Sequence, residues 1–339
     1  MYLKHFGFER HPFRMAPEED FLYMSRQHSR AFLFMDSAIW SPEGFVVISG
    51  EIGSGKTTLL KKMISDVKEE VQLFQIAYTN LQGDDLFQTL LHQAGISLAD
   101  ATKVNIVFAL NDHLRQLADK GIPILLAIDE AQNLSYENLE DIRMLAGMES
   151  SQGPILRVIL LGQPELSDHI AAIPQLSQRV KLFFHLQGLS LDDTERYIQH
   201  RLRIAGMDQV ELFPHNMIER VHQYSAGIPR LINKISDGLL LCAFAEERTH
   251  LIAADIDAIK NELRVSSVAT AQPQVALPKP ADSIGQTSRS ALERIAAALE
   301  SIDEQLTALI GAEANPDSVR HEVTTLKSAR ALGDPKGDR

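Results

Sequence analysis

Three glycines, a lysine and two threonines follow one another in Gly50-Glu51-Ile52-Gly53-Ser54-Gly55-Lys56-Thr57-Thr58, a spacing suited to a polyphosphate. Phosphate oxygens need several donors converging on them, and a glycine-rich turn aims backbone N–H groups inward where side chains would block the approach. Lys56 adds a point charge for the β- and γ-phosphates, and the Thr57 hydroxyl a ligand for Mg²⁺. Gly50, Glu51, Gly53, Ser54, Gly55, Lys56, Thr57 and Thr58 are therefore the expected nucleotide contacts. A second acidic motif closes the apolar run Ile124-Leu125-Leu126-Ala127-Ile128 with adjacent carboxylates, Asp129 and Glu130. In such a pair the first acid helps hold the metal and the second orients an attacking water, so ATP and Mg²⁺ are the ligands these residues imply.

Three further polar residues stand where charge on a transferring phosphoryl group needs support. Gln163 follows the apolar run that ends in Leu160-Leu161-Gly162, where it is a candidate sensor of the γ-phosphate or a surface glutamine opening the Gln163-Pro164-Glu165 turn. Arg179, in Leu176-Ser177-Gln178-Arg179-Val180, and Arg230, in Gly227-Ile228-Pro229-Arg230, are the candidate cations. His5, His11, His28, His169, His200, His215 and His222 show no metal-ligand spacing with Cys or carboxylates and read as structural.

The elements that must position these groups alternate. Apolar runs predict strands at Phe45–Ser49, Val71–Tyr78, Ile124–Asp129, Leu156–Leu161 and Val180–Leu186. Helices are expected between them at Thr58–Val67, Asp84–Ala94, Asn105–Lys120 and Tyr136–Met148. That alternation implies a parallel, doubly wound α/β sheet over residues 1–190. From 191 to 265 the pattern is helical only, at Asp192–Ala205, Asn216–Ser225, Pro229–Arg248 and Ala253–Leu263, which marks a small all-α lid domain. Residues 266–287, rich in Pro, Ala, Ser and Gln, read as a flexible linker. In 288–314, Leu292, Ile295, Leu299, Ile302, Leu306 and Leu309 form a narrow seam that fits either a coiled-coil or docking helix, or a helix packed back on the core. Residues 315–339 read as a disordered tail.

The 339 residues, 45% of them apolar, suit a soluble protein of two or three domains. A formal charge of −12 argues against a globally basic nucleic-acid surface. The nearest basic candidates, Lys61-Lys62 and Arg201 with Arg203, read as solvated helix faces, which leaves DNA binding unsupported. Cys242 stands alone in an apolar run and reads as a buried small hydrophobe in a reducing compartment. With no signal-peptide core and no apolar run near the eighteen or so residues of a membrane span, the expectation is a cytoplasmic protein that a partner recruits to the inner membrane.

Taken together, the phosphate loop, the Asp129-Glu130-Ala131-Gln132 box, Gly162-Gln163-Pro164-Glu165-Leu166, the Gln178-Arg179 pair and Gly227-Ile228-Pro229-Arg230-Leu231-Ile232-Asn233 resemble AAA+ ATPases of the GspA/ExeA type. Met1-Tyr2, Phe6-Gly7-Phe8, Pro12-Phe13 and Phe21-Leu22-Tyr23 resemble that family's N-terminus. Its relatives serve type II secretion, MSHA-type pili and exopolysaccharide systems, and more distantly include transposition ATPases of the TniB and TnsC kind. The resemblance implies Asp129 on Mg²⁺ through water, Glu130 activating water, Gln163 as sensor 1 in place of the usual asparagine, and Arg230 as sensor 2. Arg179 would be a finger into a neighbouring subunit, with Arg143 a rival, and Pro12 and Phe13 would face adenine against the lid. It further implies a nucleotide-dependent homo-oligomer. Relatives in secretion carry a membrane span and a wall-binding domain after the ATPase, and neither is expected here. The expectation is therefore a motor or switch for assembly of a secretion, pilus or exopolysaccharide system, meeting its machinery through the last helix. The alternative is a DNA-associated regulator that recruits a transposase-like partner.

Overall fold

The computed structural model describes residues 2–259 apart from 17–18, 42–43, 78–80, 82–83, 101, 151–152, 208–211, 253–254 and 258. The expected linker, C-terminal helix and tail lie outside these residues, as does most of the helix expected at Ala253–Leu263. Five parallel strands form the sheet: β1 (Phe45–Gly50), β2 (Gln72–Ile76), β3 (Ile124–Ile128), β6 (Leu156–Gly162) and β7 (Leu182–Leu186). Between β3 and β6 lies a small hairpin, β4 (Glu149–Ser150) and β5 (Gly153–Pro154).

The inner strands β1 and β3 are buried at every position and read as nearly continuous apolar runs because the sheet is covered on both faces. Successive side chains point to opposite sides. Val47, Leu126 and Leu160 enter one core together with Leu90 of α4 (Asp85–Gln93), Leu110 of α5 (Lys103–Asp119) and Ile142 of α6 (Tyr136–Ala146). Their neighbours Val46, Leu125 and Ile159 enter another, beneath Met35 of α2 (Arg26–Trp40) and Leu60 of α3 (Lys56–Val67). This is the doubly wound arrangement the alternation predicts. The order across the sheet is β2-β3-β6-β1-β7, with β6 inserted between the phosphate-loop strand and the acidic strand. Ser49 pairs with Gly162 and Ile128 with Leu160, so the loops after β1, β3 and β6 emerge side by side on one sheet edge.

A third core belongs to the lid, formed by α9 (Leu191–Ile204), α10 (His215–Ser225) and α11 (Pro229–Ala245). Tyr2 and Phe6 of α1 (Tyr2–Phe6), with Phe8 and Phe13, are buried in it. The N-terminal segment, expected within a 1–190 ATPase domain, thus packs as part of the lid. Phe13 meets Phe213 edge-on at 5.7 Å, and the Tyr2 hydroxyl donates to Asp237 at 2.6 Å. The chain passes from lid to sheet between Tyr23, packed on the lid core, and Met24, packed on the sheet. It returns between Leu186 and Leu189. Gln27 and Gln187 join the two crossings with reciprocal hydrogen bonds of 3.3 and 3.0 Å.

Element edges differ from the sequence reading where a cap or turn decides them. α3 begins at Lys56 because Gly55, at φ 104°, is its N-cap. β7 begins at Leu182, after α7 (Glu165–Ala171) and α8 (Pro174–Ser177), neither of which the sequence reading named. α2 was also unanticipated. The Ser25 hydroxyl caps it by accepting from the His28 backbone N–H, and Ala31, Met35, Ala38 and Ile39 turn one face to the sheet.

Candidate functional site

The phosphate loop leaves β1 at Gly50 and turns into α3, whose N-terminus faces the loop's concavity and favours an anion there. Lys56 is buried, with Nζ donating to the carbonyls of Gly50 at 2.6 Å and Glu51 at 3.0 Å. Burial lowers its pKa, opposed by the charges of Glu130, Asp129 and Glu51. Thr57 Oγ1 donates to Asp129 Oδ2 at 2.6 Å, and Asp129 Oδ1 accepts from the Glu130 backbone N–H at 2.9 Å. Two elements far apart in sequence therefore present a hydroxyl and a carboxylate oxygen together beside the loop. Hard oxygen donors of this kind fit a nucleotide-bound divalent metal, which Thr57 and Asp129 would hold. Glu130, a non-glycine residue at φ 51° and ψ 36°, occupies the left-handed region, at a cost of about 1–2 kcal/mol.

A cavity of about 300 Å³ opens between this edge and the lid. Gly53, Gly55, Lys56, Thr57, Thr58, Glu130 and Gln163 line its sheet side. Tyr197, Pro229, Arg230 and Asn233 line the lid side. Arg230 reaches the loop directly: its backbone N–H donates to the Gly53 carbonyl at 3.2 Å. Only glycine fits at Gly53, since φ is +85° and an added Cβ would stand 2.3 Å from that of Arg230.

Two expected adenine contacts are corrected. Phe13 is 1% exposed within the lid core, and Pro12 is buried with its carbonyl accepting from Arg201 Nε; neither lines the cavity. The lid helices leave an apolar face that the N-terminal rings cover, so the wall of the cavity falls to Arg14, Met15 and Ala16 and to Phe21, Leu22 and Tyr23. Arg201 is corrected too. It is not a solvated face but a buried clamp, donating to the carbonyls of Pro12 and Arg14 and to the Tyr197 hydroxyl, with Phe21 4.6 Å across its guanidinium. Arg179 stands apart from the cavity, exposed, its Nη1 donating at 3.4 Å to the Ala146 carbonyl that ends α6. Arg143 pairs with Glu140 at 2.7 Å.

His28 is a site residue that sequence reasoning placed only as structural. Its Nε2 donates to the Ser54 carbonyl at 2.9 Å, so Nδ1 accepts from the Ser25 hydroxyl at 2.7 Å and the imidazole braces the phosphate loop in its neutral form. Burial pushes its pKa down, opposed by the Ser54 carbonyl. No local signal marks a contact made across the loop from another helix.

A strand inserted between the phosphate-loop and acidic strands, with a helical lid over the same edge, is the architecture of AAA+ P-loop ATPases, and the chain is one of them. Residues 39–170 match the family model described as AAA domain. This match, together with a curated relative, supports a GspA/ExeA-type AAA ATPase. The chain is similar to General secretion pathway protein A of Aeromonas hydrophila, 33% identical over 259 residues, covering 76% of this chain and 47% of that protein. The chain thus spans about half the length of this curated relative. In fold it is similar to Cdc6p of Pyrobaculum aerophilum, with a TM-score of 0.56 at 14% identity, covering 77% of this chain and 70% of that one. A DNA-bound ORC structure from Drosophila gives a TM-score of 0.55 at 15% identity over 76% of this chain and 67% of that one. No helix among the described residues is long and apolar enough to cross a membrane.

Proposed function

We propose that the chain hydrolyses ATP with Mg²⁺ and uses the cycle to drive or gate assembly of a bacterial envelope system of the secretion kind. The observation that carries this reading is the shared cavity, in which the phosphate loop, Glu130 and the lid's Arg230 converge on one volume. Its secretion aspect is supported by the similarity to General secretion pathway protein A. In this reading Lys56 and the loop amides hold the phosphates, Thr57 and Asp129 hold Mg²⁺, and Glu130 orients the water. Gln163 and Arg230 sense the γ-phosphate from β6 and from the lid. Magnesium supplies charge neutralisation on the transferring phosphoryl group. Arg179, exposed and outside its own cavity, completes the site of a neighbouring copy in a nucleotide-dependent homo-oligomer. The protein works on the cytoplasmic side and meets its machinery through residues 288–314. Glu130→Gln tests the core of this reading. The variant is expected to bind ATP, accumulate the assembled form and hydrolyse at least about 100-fold more slowly. Hydrolysis at the wild-type rate would remove Glu130 from the chemistry.

A further inference from the structure

Gln132 lies two residues beyond Glu130 in a short helical turn, Ala131–Asn133, and touches two of the groups named above. Its Nε2 donates to Glu130 Oε2 at 2.8 Å, and its Oε1 accepts from the Gln163 backbone N–H at 3.0 Å. The partners dictate the orientation of the side-chain amide. A carboxylate only accepts and a backbone N–H only donates, so the nitrogen must face Glu130 and the oxygen Gln163. The fit is close: a Cβ added at Gly162 would stand 2.8 Å from Gln132 Oε1. Glu130 and Gln163 both line the cavity while joined in this way, and Glu130 is foremost among the charges that hold up the Lys56 ammonium. The bridge therefore engages one oxygen of a carboxylate that faces the phosphate site.

We propose that Gln132 is a positioning residue for ATP hydrolysis, its side-chain amide tying the Glu130 carboxylate to the backbone at the end of β6. The inference rests on Glu130 acting as the water-orienting group. Its physical content is that Glu130, held in the left-handed region, has a carboxylate aimed by a donor anchored on a different strand. A shift of the β6 end then moves the base, and the two strand ends answer to the γ-phosphate together. The bridge is a neutral amide donor, so it orients the carboxylate without protonating it.

Two full-length variants test this. Gln132→Ala removes the bridge; Gln132→Glu preserves its size and its acceptor toward Gln163 but replaces the donor to Glu130 with an oxygen. Each is expected to lower kcat by about 10- to 100-fold, the scale of a misplaced reacting group, while nucleotide affinity changes by less than about threefold. Thermal unfolding is expected to stay close to wild type. Combined with Glu130→Gln, Gln132→Ala is expected to add no further loss, because it acts through the carboxylate already removed. Wild-type kcat in either single variant would overturn the proposal, as would a loss matched by weaker nucleotide binding or one that recurs in full in the Glu130→Gln background. The two readings fail separately. Wild-type hydrolysis by Glu130→Gln removes the base itself, whereas an impaired Glu130→Gln beside an unimpaired Gln132→Ala removes only the bridge.

Discussion

Gly53→Ala should uncouple the lid from the phosphate loop, by an amount the geometry sets. The new Cβ would lie 2.3 Å from the Arg230 Cβ and 2.9 Å from its Cδ, against an ordinary carbon–carbon contact of about 3.5 Å. Relief requires the start of α11 to retreat by about 1.2 Å. At that displacement the 3.2 Å hydrogen bond from the Arg230 N–H to the Gly53 carbonyl is lost, for about 0.5–1.5 kcal/mol. Holding alanine at φ +85° adds about 1–2 kcal/mol. The combined loss is about 1.5–3.5 kcal/mol. Equilibrium denaturation of a double-mutant cycle separates the parts. In an Arg230→Gly background, where the opposing Cβ is gone, Gly53→Ala should cost only the backbone share, about 1–2 kcal/mol. Equal costs in the two backgrounds would refute the contact between lid and loop.

Lys56→Ala should weaken binding of a fluorescent ATP analogue by at least about 100-fold, since a buried ammonium held between two carbonyls is replaced by nothing; unchanged affinity would exclude Lys56 from the phosphate site. Arg179→Ala should bind nucleotide normally but hydrolyse slowly, and mixing it with Lys56→Ala subunits should restore activity; mixtures without recovery would leave Arg179 to its contact with α6. Burial holds the pKa values of His28, His200 and His222 below the ordinary 6.5. The unfolded chain therefore takes up more protons as pH falls through that value. Stability should be full above it and decline below it, by up to about 1.4 kcal/mol per pH unit for each histidine. Denaturant midpoints between about pH 5 and 7 should show a slope that His28→Asn reduces by one histidine's share; an unchanged slope would place His28 in a solvated environment.

The sheet was legible because strands buried on both faces leave unbroken apolar runs, as in Phe45–Ile48 and Ile124–Ile128. The phosphate loop and acidic pair were legible because their chemistry constrains residue type at fixed spacing, and Thr57 and Asp129 do meet. What stayed hidden depends on contacts between segments distant in the chain. Phe13 could not be assigned to core or cavity without knowing that Phe213 waits on the lid. Arg201 occupies a helix whose charged residues read as solvated, and only the Pro12 and Arg14 carbonyls show why a cation is buried there. α2 was missed although Ala31, Met35, Ala38 and Ile39 recur at helical spacing, because Ala31–Met35 is apolar throughout and the exposed Leu33 reads no differently from the buried Met35.

The two crossings between lid and sheet have a mechanical consequence. A domain attached by one strand of chain can swivel about any axis through its tether. Here the chain leaves the lid after Tyr23, returns to it after Leu186, and the Gln27–Gln187 hydrogen bonds hold those two points together. Paired tethers turn a ball joint into a hinge, with its axis through both. The aromatic residues 2–13 ride on the swinging side, so an extension built onto the N-terminus would lengthen the lever arm of the lid and leave the sheet untouched.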